Sequence, residues 1–246
     1  MNNFSSLFKL ELKRRCKDFF IIFYSVVFPI IIITLLGYLT SKSYGSEFTS
    51  YEYYSIVMIP FFLLMGITSV AYAAVDEKRM KTSYRYMIAP ISKSSLIISK
   101  FSSCVIVLTA CSIIVLLISR FMFHLPVNGN VFYVIILLFC ESIAISGLGL
   151  FFGLAIKNFA TIQNLLNLPI MIFGFLGGAF FPVSSLNPIL SFIVNLSPLT
   201  WINRGIMYCL YISDTTILLY TSAILFIAGV LFTILTVKYF KKEAFA

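Results

Sequence analysis

An all-α, polytopic membrane protein is the fold class that the sequence predicts, with six transmembrane helices, an N-terminal interfacial helix, an amphipathic cytoplasmic helix and a short re-entrant outer segment. Three observations predict it. The 246 residues are 60% hydrophobic and only 11% charged, where a soluble domain carries about 25% charged residues. The apolar residues gather in runs of about 20, the length that crosses a hydrocarbon core. The basic residues fall almost entirely on alternate connections between those runs. A mean hydropathy of +1.01 excludes a water-soluble globule, which could not hide so much apolar surface. Six crossings use roughly 120 residues, which leaves too little chain for a separate soluble domain, so residues 1–246 read as one membrane domain.

The first run, Phe19 to Leu39, contains no charge; the others are Ser55 to Val75, Phe101 to Ser119, Val131 to Ile156, Phe159 to Pro182 and Thr215 to Val237. All six are expected to be helices, because lipid offers backbone groups no partner and the runs lack the period-two alternation of a barrel strand. A long charged stretch precedes the first run and no small-residue cleavage pattern follows it, so a retained anchor is expected and not a removed signal peptide.

Orientation follows from the basic residues. With the N-terminus inside, the cytoplasmic side carries Lys9, Lys13, Arg14, Arg15 and Lys17, then Lys78, Arg79, Lys81, Arg85, Lys93 and Lys100, then Lys157, then Lys238, Lys241 and Lys242, fifteen of the 18. Only Lys42, Arg120 and Arg204 fall outside. Both termini are therefore expected in the cytoplasm of a multi-pass protein of the cell membrane. The net charge of +9 is thus a topology signal. It does not indicate nucleic-acid binding, because the basic residues lack the interleaved stacking aromatics of a nucleic-acid groove.

The residues argue against several chemistries. Five cysteines, with Cys104, Cys111 and Cys140 inside spans, Cys16 cytoplasmic and Cys209 near the outer face, support neither a disulfide nor a redox pair within one chain. The single histidine, His124, stands without a cluster of cysteines and carboxylates at ligand spacing, so no metal site is expected. No Ser/His or paired-Asp arrangement of an intramembrane hydrolase is visible. There is no G-x-x-x-x-G-K-[ST] loop to hold ATP.

Two connections are informative. In Asp76 to Lys100, Met80, Tyr84, Met87 and Ile88 recur on one helical face, Lys78, Arg79, Lys81 and Arg85 hold the other, and Pro90 stops the pattern. Asp76 and Glu77 are expected to complement this helix's N-terminus. Taken alone, residues 76–90 fit a helix lying on anionic lipid. Residues 186–201 are apolar but too short to span and are broken by Pro188 and Pro198, so they are expected to dip into or lie along the outer leaflet. A crossing there would export Lys238, Lys241 and Lys242 against the positive-inside pattern. At the N-terminus, residues 1–18 combine Phe4, Leu7 and Phe8 with five basic residues, which suits a helix on the inner leaflet or a solvated tail.

The first of these connections resembles a signature region of the ABC-2 type permeases, the membrane subunits of a class of ATP-binding-cassette exporters. The match lies in Glu77, Lys78 and Arg79, the polar-aromatic helix with Tyr84 and Arg85, Ala89 and Pro90, and Lys100 at the start of the third span. A second match runs downstream from Gly174 through the Phe-Pro element Phe181 and Pro182, the short outer segment, Ser197, Pro198, Leu199 and Thr200, and Arg204. The resemblance covers essentially the whole chain. It implies that residues 76–90 form a coupling helix against the ATPase, contacted through Glu77, Lys78, Arg79, Tyr84, Arg85 and Pro90. It also implies that outer helices cap the path, with Phe181, Pro182, Pro198 and Arg204 at the outer gate, and that the N-terminal helix packs beside the ATPase.

Within the fifth run Asn164, Asn167, Met171, Gly174 and Gly178 share one helical face, with Gln163 at its margin. Helix packing explains this face, through the small-residue pair Gly174 and Gly178 and through interhelical hydrogen bonds of the asparagines; Gly149 and Gly153 make a similar pair in the fourth run. The resemblance offers the alternative that it lines a cargo path, opposite Phe61, Phe62 and Met65 of the second. Aromatic and thioether side chains would make a deformable apolar wall there. Glu141 is the only carboxylate at membrane depth. A charge there costs roughly 2.5 to 3.5 kcal/mol, so Glu141 is expected to be protonated, paired or facing water, with Asn164 or Asn167 as candidate partners. It serves either a buried hydrogen bond or cargo or ion passage.

The expectation is an exporter permease for a hydrophobic or amphipathic cargo, such as a drug, an antimicrobial peptide or a lipid-like molecule. The chain itself is no enzyme and binds no cofactor. ATP and Mg belong to two copies of a separate ATP-binding subunit, and a second permease, identical or a sister chain, completes a dimer in membrane lipid. A glycan or polymer exporter of the same family, and a secondary transporter or channel outside it, are the alternatives.

Overall fold

The computed structural model describes residues 2–45, 48–79, 91–125, 130–156, 159–180 and 188–239. Among them the chain is helical and contains no strand. Five helices are long and apolar enough to cross a membrane: Phe19–Leu39, Ser50–Ala74, Lys93–Phe123, Val131–Ala155 and Thr216–Tyr239. We label the helices α1 (Asn2–Lys17), α2 (Phe19–Leu39), α3 (Ser50–Arg79), α4 (Lys93–Phe123), α5 (Val131–Ala155), α6 (Phe159–Leu176), α7 (Pro188–Asn195), α8 (Pro198–Met207) and α9 (Thr216–Tyr239).

Helix α2 is interrupted by a π turn at Phe23–Val27. Pro29 causes it: proline has no N–H for the Ser25 carbonyl, and its ring crowds that carbonyl, so the preceding turn widens. Asp18 starts α2 by accepting hydrogen bonds from the Phe20 and Ile21 N–H groups at 3.0 and 3.4 Å.

Helix α3 runs on to Arg79 because nothing between the apolar run and Lys78 breaks a helix; the link is alanine, valine and acidic residues. This corrects one expectation. Asp76 and Glu77 stand near the C-terminal end of α3 and do not open a helix of their own. Tyr84, Arg85 and Pro90, with the rest of 80–90, lie outside the described residues.

Helix α4 begins eight residues before the apolar run suggested, because Ser92 caps it by accepting from the Ser95 N–H at 3.2 Å. It ends at His124, whose φ of 54° places it in the left-handed region.

The stretch expected as the fifth of six spans is shorter than the sequence suggested. Helix α6 has 18 residues, about 27 Å at ~1.5 Å per residue, and stops at Leu176 instead of continuing to Pro182. Gly178 stops it. Its φ of 79° puts it at the left-handed position of a Schellman motif, in which Ala179 N–H donates to the Gly174 carbonyl at 2.9 Å and Gly178 N–H to the Phe175 carbonyl at 3.2 Å. Gly178 is therefore a helix terminator and not half of a packing pair with Gly174. A side chain at Gly174, by contrast, would strike the ring of Phe61 on α3.

Helix α5 is the centre of the bundle, packed against α3, α4 and α9. Small residues set those approaches. A Cβ on Gly149 would lie 2.7 Å from Val70 Cβ, and one on Gly153 would lie 2.7 Å from the Ala71 carbonyl oxygen. This pair behaves as the small-xxx-small spacing predicts. On another face Gly147 and Gly229 bring α5 and α9 to backbone contact.

Helix α1 lies along α4. Glu11 on its inner face reaches Lys100 of α4, Oε1 to Nζ at 3.7 Å, with both side chains only 1% exposed, and Arg14 approaches the same carboxylate oxygen at 3.7 Å.

Candidate functional site

Helices α2, α3 and α6 enclose a cleft of about 460 Å³. Helix α2 contributes Asp18, Phe20, Ile21 and Tyr24, and α3 contributes Met65, Thr68, Ser69 and Tyr72. Gln163 and Asn167 come from α6. Its position follows from packing elsewhere. Helix α6 touches the bundle along Ile162, Leu166, Ile170 and Gly174, one residue per turn, so its Gln163 and Asn167 edge stands free beside α2. The widened turn of α2 brings Tyr24 to α3, where its hydroxyl donates to Met65 Sδ at 3.2 Å.

The structure divides the six residues expected along a path. Met65 and Asn167 line the cleft together. Asn164 and Met171 are exposed on α6 beside it. Phe61 and Phe62 are buried in the chain's own packing and are absent from the cleft wall. Phe61 lies against Gly174 and 5.6 Å from the Phe180 ring, and Phe62 stands edge-on to Phe28 and Tyr24 at 5.4 and 6.1 Å.

The far end of α6 is where the downstream motif gains a physical meaning. A helix leaves its last carbonyls without intrahelical donors, and here side chains of α8 and its N-cap reach that end, sharing the Phe173 carbonyl with the Gly177 N–H, which donates to it at 2.8 Å. Ser197 Oγ donates to the Phe173 carbonyl at 3.2 Å, Thr200 Oγ1 to that of Leu176 at 3.2 Å, and Asn203 Nδ2 to that of Gly177 at 2.8 Å. From α3, the Tyr53 hydroxyl donates to the Gly178 carbonyl at 2.8 Å and the Tyr54 hydroxyl to that of Phe180 at 3.4 Å. Leu199 fills the space over Gly177. Tyr53→Phe keeps the ring and removes one donor, so it should cost about 1 kcal/mol, read as a lower midpoint of thermal unfolding in nanodiscs. An unchanged midpoint would show that Tyr53 packs there without bonding.

The segment expected at the outer leaflet folds as α7 and α8, joined by a turn at Leu196 and Ser197. Asn195 ties the two together: its carbonyl accepts from Trp201 Nε1 at 2.8 Å and its Oδ1 from Arg204 Nη1 at 2.7 Å. Arg204 is thus held by Asn195, and Pro198 lines a separate apolar groove of about 400 Å³ with Trp201 and Tyr220. Helix α8 extends past Trp201 to Met207, beyond the expected 186–201, while Phe181, Pro182 and residues 186–187 lie outside the described residues. Beside this end Tyr44, Phe48, Tyr53 and Tyr211 form a knot of rings 5.2 to 6.3 Å apart. Burial, with Tyr54 nearby, pushes the Tyr44 hydroxyl up to about 12, so that hydroxyl stays uncharged through the physiological range.

The family model for the ABC-2 type transporter matches residues 2–211. The chain belongs to the ABC-2 type transporter family. It is a multi-pass membrane subunit of an ABC transporter, and membership implies association with an ABC ATPase subunit. No curated protein matches the chain.

In this ABC-2 type subunit Glu141 is 1% exposed on the inner side of α5, and neither carboxylate oxygen has a hydrogen-bond partner among the described residues. Asn164 and Asn167 do not serve it. The contacts Gly66 to Ile145, Val70 to Gly149 and Ala74 to Gly153 keep one register between α3 and α5, and that register puts Phe62 level with Glu141. Of the ATPase-facing residues expected in the subunit, Glu77, Lys78 and Arg79 fall in the final turns of α3.

Sequence reasoning missed Glu11, Asp18, Tyr53, Tyr54, Asn195 and Asn203. Asp18 alone had a local signal, a capping residue directly before an apolar run. Glu11, Tyr53, Tyr54 and Asn203 act on partners in other elements far along the chain, and Asn195 acts across the turn between α7 and α8.

Proposed function

We propose that the chain is the permease of an ABC exporter that moves a hydrophobic or amphipathic cargo out of the cell, acting as a dimer above two copies of a separate ATPase that carries ATP and Mg. The observation that supports this best is the free face of α6. Gln163 and Asn164 are exposed there and Asn167 is partly so, on a helix otherwise suited to lipid. Amide side chains facing hydrocarbon are costly unless another helix or water meets them. A second permease, identical or a sister chain, covers that face and leaves the cleft between α2, α3 and α6 opening onto the shared axis. The excess of Lys and Arg on alternate connections supports cytoplasmic termini, which sets Asp18 at the inner edge of the membrane and α7 and α8 at the outer edge. In this reading the segment after α3 transmits closure of the ATPases, and α7 and α8 cap the exit in the cell membrane. The cleft's rings, thioether and neutral amides favour an amphipathic cargo over a glycan.

The test is affinity purification of the tagged chain from its own membrane, with mass spectrometry and an ATPase assay on the eluate. A P-loop ATPase should co-purify, and Glu77→Ala or Arg85→Ala should lower its retention or activity severalfold. A chain that purifies without ATPase would move the reading to an ion-coupled transporter or channel and make Glu141 the residue of interest.

A further inference from the structure

The cleft between α2, α3 and α6 contains one formal charge, and it is negative. Of its ten lining residues Asp18 is the one acidic side chain and none is basic; the others are aromatic, aliphatic, thioether or neutral polar. We propose that this cleft binds a lipophilic monocation, with Asp18 as its counter-charge. The inference rests on the exporter reading for its transport role but not for binding itself.

Four features carry it. First, Asp18 keeps acceptor capacity. Its Oδ1 caps the Phe20 and Ile21 N–H groups, and among the described residues no hydrogen bond uses Oδ2, so a cation can be met without uncapping the helix. Second, the carboxylate sits where the uncharged run begins. A cationic head stays at the water boundary beside Asp18 while its apolar body lies along Ile21, Tyr24 and Met65. Third, aromatic rings share the wall with the charge. Phe20, Tyr24 and Tyr72 line the cleft; Tyr24 is stacked between Phe20 and Phe28 at 6.0 and 5.7 Å, so Phe20, exposed at the end of that stack, is the ring that offers a cation its outer face. Fourth, the volume of about 460 Å³ lies within the range of roughly 300–1,000 Å³ typical of small-molecule sites.

The basic residues that precede Asp18 do not reverse this choice. Arg15 lines an adjoining crevice that shares Ile21 and Ser69 with the cleft, on the side of Cys104 and Val107, and neither it nor Lys17 is part of the cleft wall. An anionic head would meet the Asp18 carboxylate at the mouth with no basic side chain in the wall to offset it. Gln163 and Asn167 add neutral oxygens that accept from an ammonium or solvate a quaternary centre.

The experiment uses the full chain in phosphatidylcholine nanodiscs and equilibrium dialysis of tetraphenylphosphonium, with empty nanodiscs subtracted. Tetraphenylborate, of nearly the same size and shape but opposite charge, is the competitor. Saturable phosphonium binding is expected, unaffected by the borate and weakened about tenfold or more by Asp18→Asn. That variant tests charge alone, because asparagine caps a helix about as well as aspartate. Thr68→Trp, which fills the cleft from α3, should abolish binding without touching the cap. Binding equal in wild type and Asp18→Asn, or borate binding as tightly as phosphonium, would overturn the proposal. Co-purification of an ATPase is scored separately. An ATPase partner with Asp18-independent binding removes the cation site and leaves the exporter reading, whereas Asp18-dependent binding without an ATPase does the reverse.

Discussion

Replacing Glu11 with leucine will release the N-terminal helix from the bundle. Glu11 and Lys100 are each 1% exposed and 3.7 Å apart, and removing one member of a buried ion pair strips the other of that counter-charge in a site closed to water. The cost of breaking such a pair is about 3–5 kcal/mol. Helix α1 carries Lys9, Lys13, Arg14, Arg15 and Lys17, so its release can be read directly as faster tryptic cleavage within the first 17 residues. The double variant Glu11→Leu/Lys100→Met should return close to wild-type protection, because two apolar side chains of similar volume replace the pair without leaving a buried charge, Arg14 being 36% exposed. A single variant as resistant to trypsin as the wild type would show that the pair does not hold α1 in place. The double variant also separates loss of charge from loss of volume.

The second large effect is expected at Gly229. A Cβ there would lie 2.6 Å from both the carbonyl carbon and oxygen of Ile143, atoms of a helix backbone that cannot rotate away as a side chain could. In a membrane, helices associate through close packing more than through exclusion of water, so separating α9 from α5 forfeits the main source of their attraction. Gly229→Val should therefore cost more than the ~1–3 kcal/mol of ordinary overpacking. It should show as a large fall in the monodisperse fraction after mild heating in detergent. Gly45→Ala is the control, since a Cβ there meets nothing within 4 Å and should leave that fraction unchanged. A Gly229 variant as stable as the control would mean that α5 and α9 can separate at little cost.

These two expectations mark different degrees of legibility. The spans could be read because the free energy of placing a helix in lipid sums over its own residues, so Phe19–Leu39 and Val131–Ala155 stand out without reference to any other segment. The ends were less legible. Hydropathy responds neither to the Ser92 cap that starts α4 early nor to the Gly178 turn that stops α6 early. Spacing alone leaves Gly178 open to a packing role or a place on a path-lining face, because small-residue spacing looks the same whether a glycine admits a neighbouring helix or supplies a left-handed turn. Gly149 and Gly153 have the same spacing and do admit α3. Of the residues expected along a path, Met65 and Asn167 line the cleft, whereas Phe61 and Phe62 pack against Gly174 and Phe28; residue type alone does not separate the two placements.

The sequence by itself determined that this is a helical, multi-pass membrane protein and, through its motifs, that it resembles the ABC-2 type permeases. Both depend on properties carried within short stretches of chain: apolar length, Lys and Arg placement, and local patterns such as Ser-Pro-Leu-Thr. Which polar groups meet is set by the packing of the helices. Glu11 meets Lys100 across 89 positions, Tyr53 meets Gly178 across 125, and Asp18 comes to share a cleft with Asn167. Their energies come from pairwise distances of a few ångströms and from the exclusion of water around them, quantities that exist only once the helices have packed.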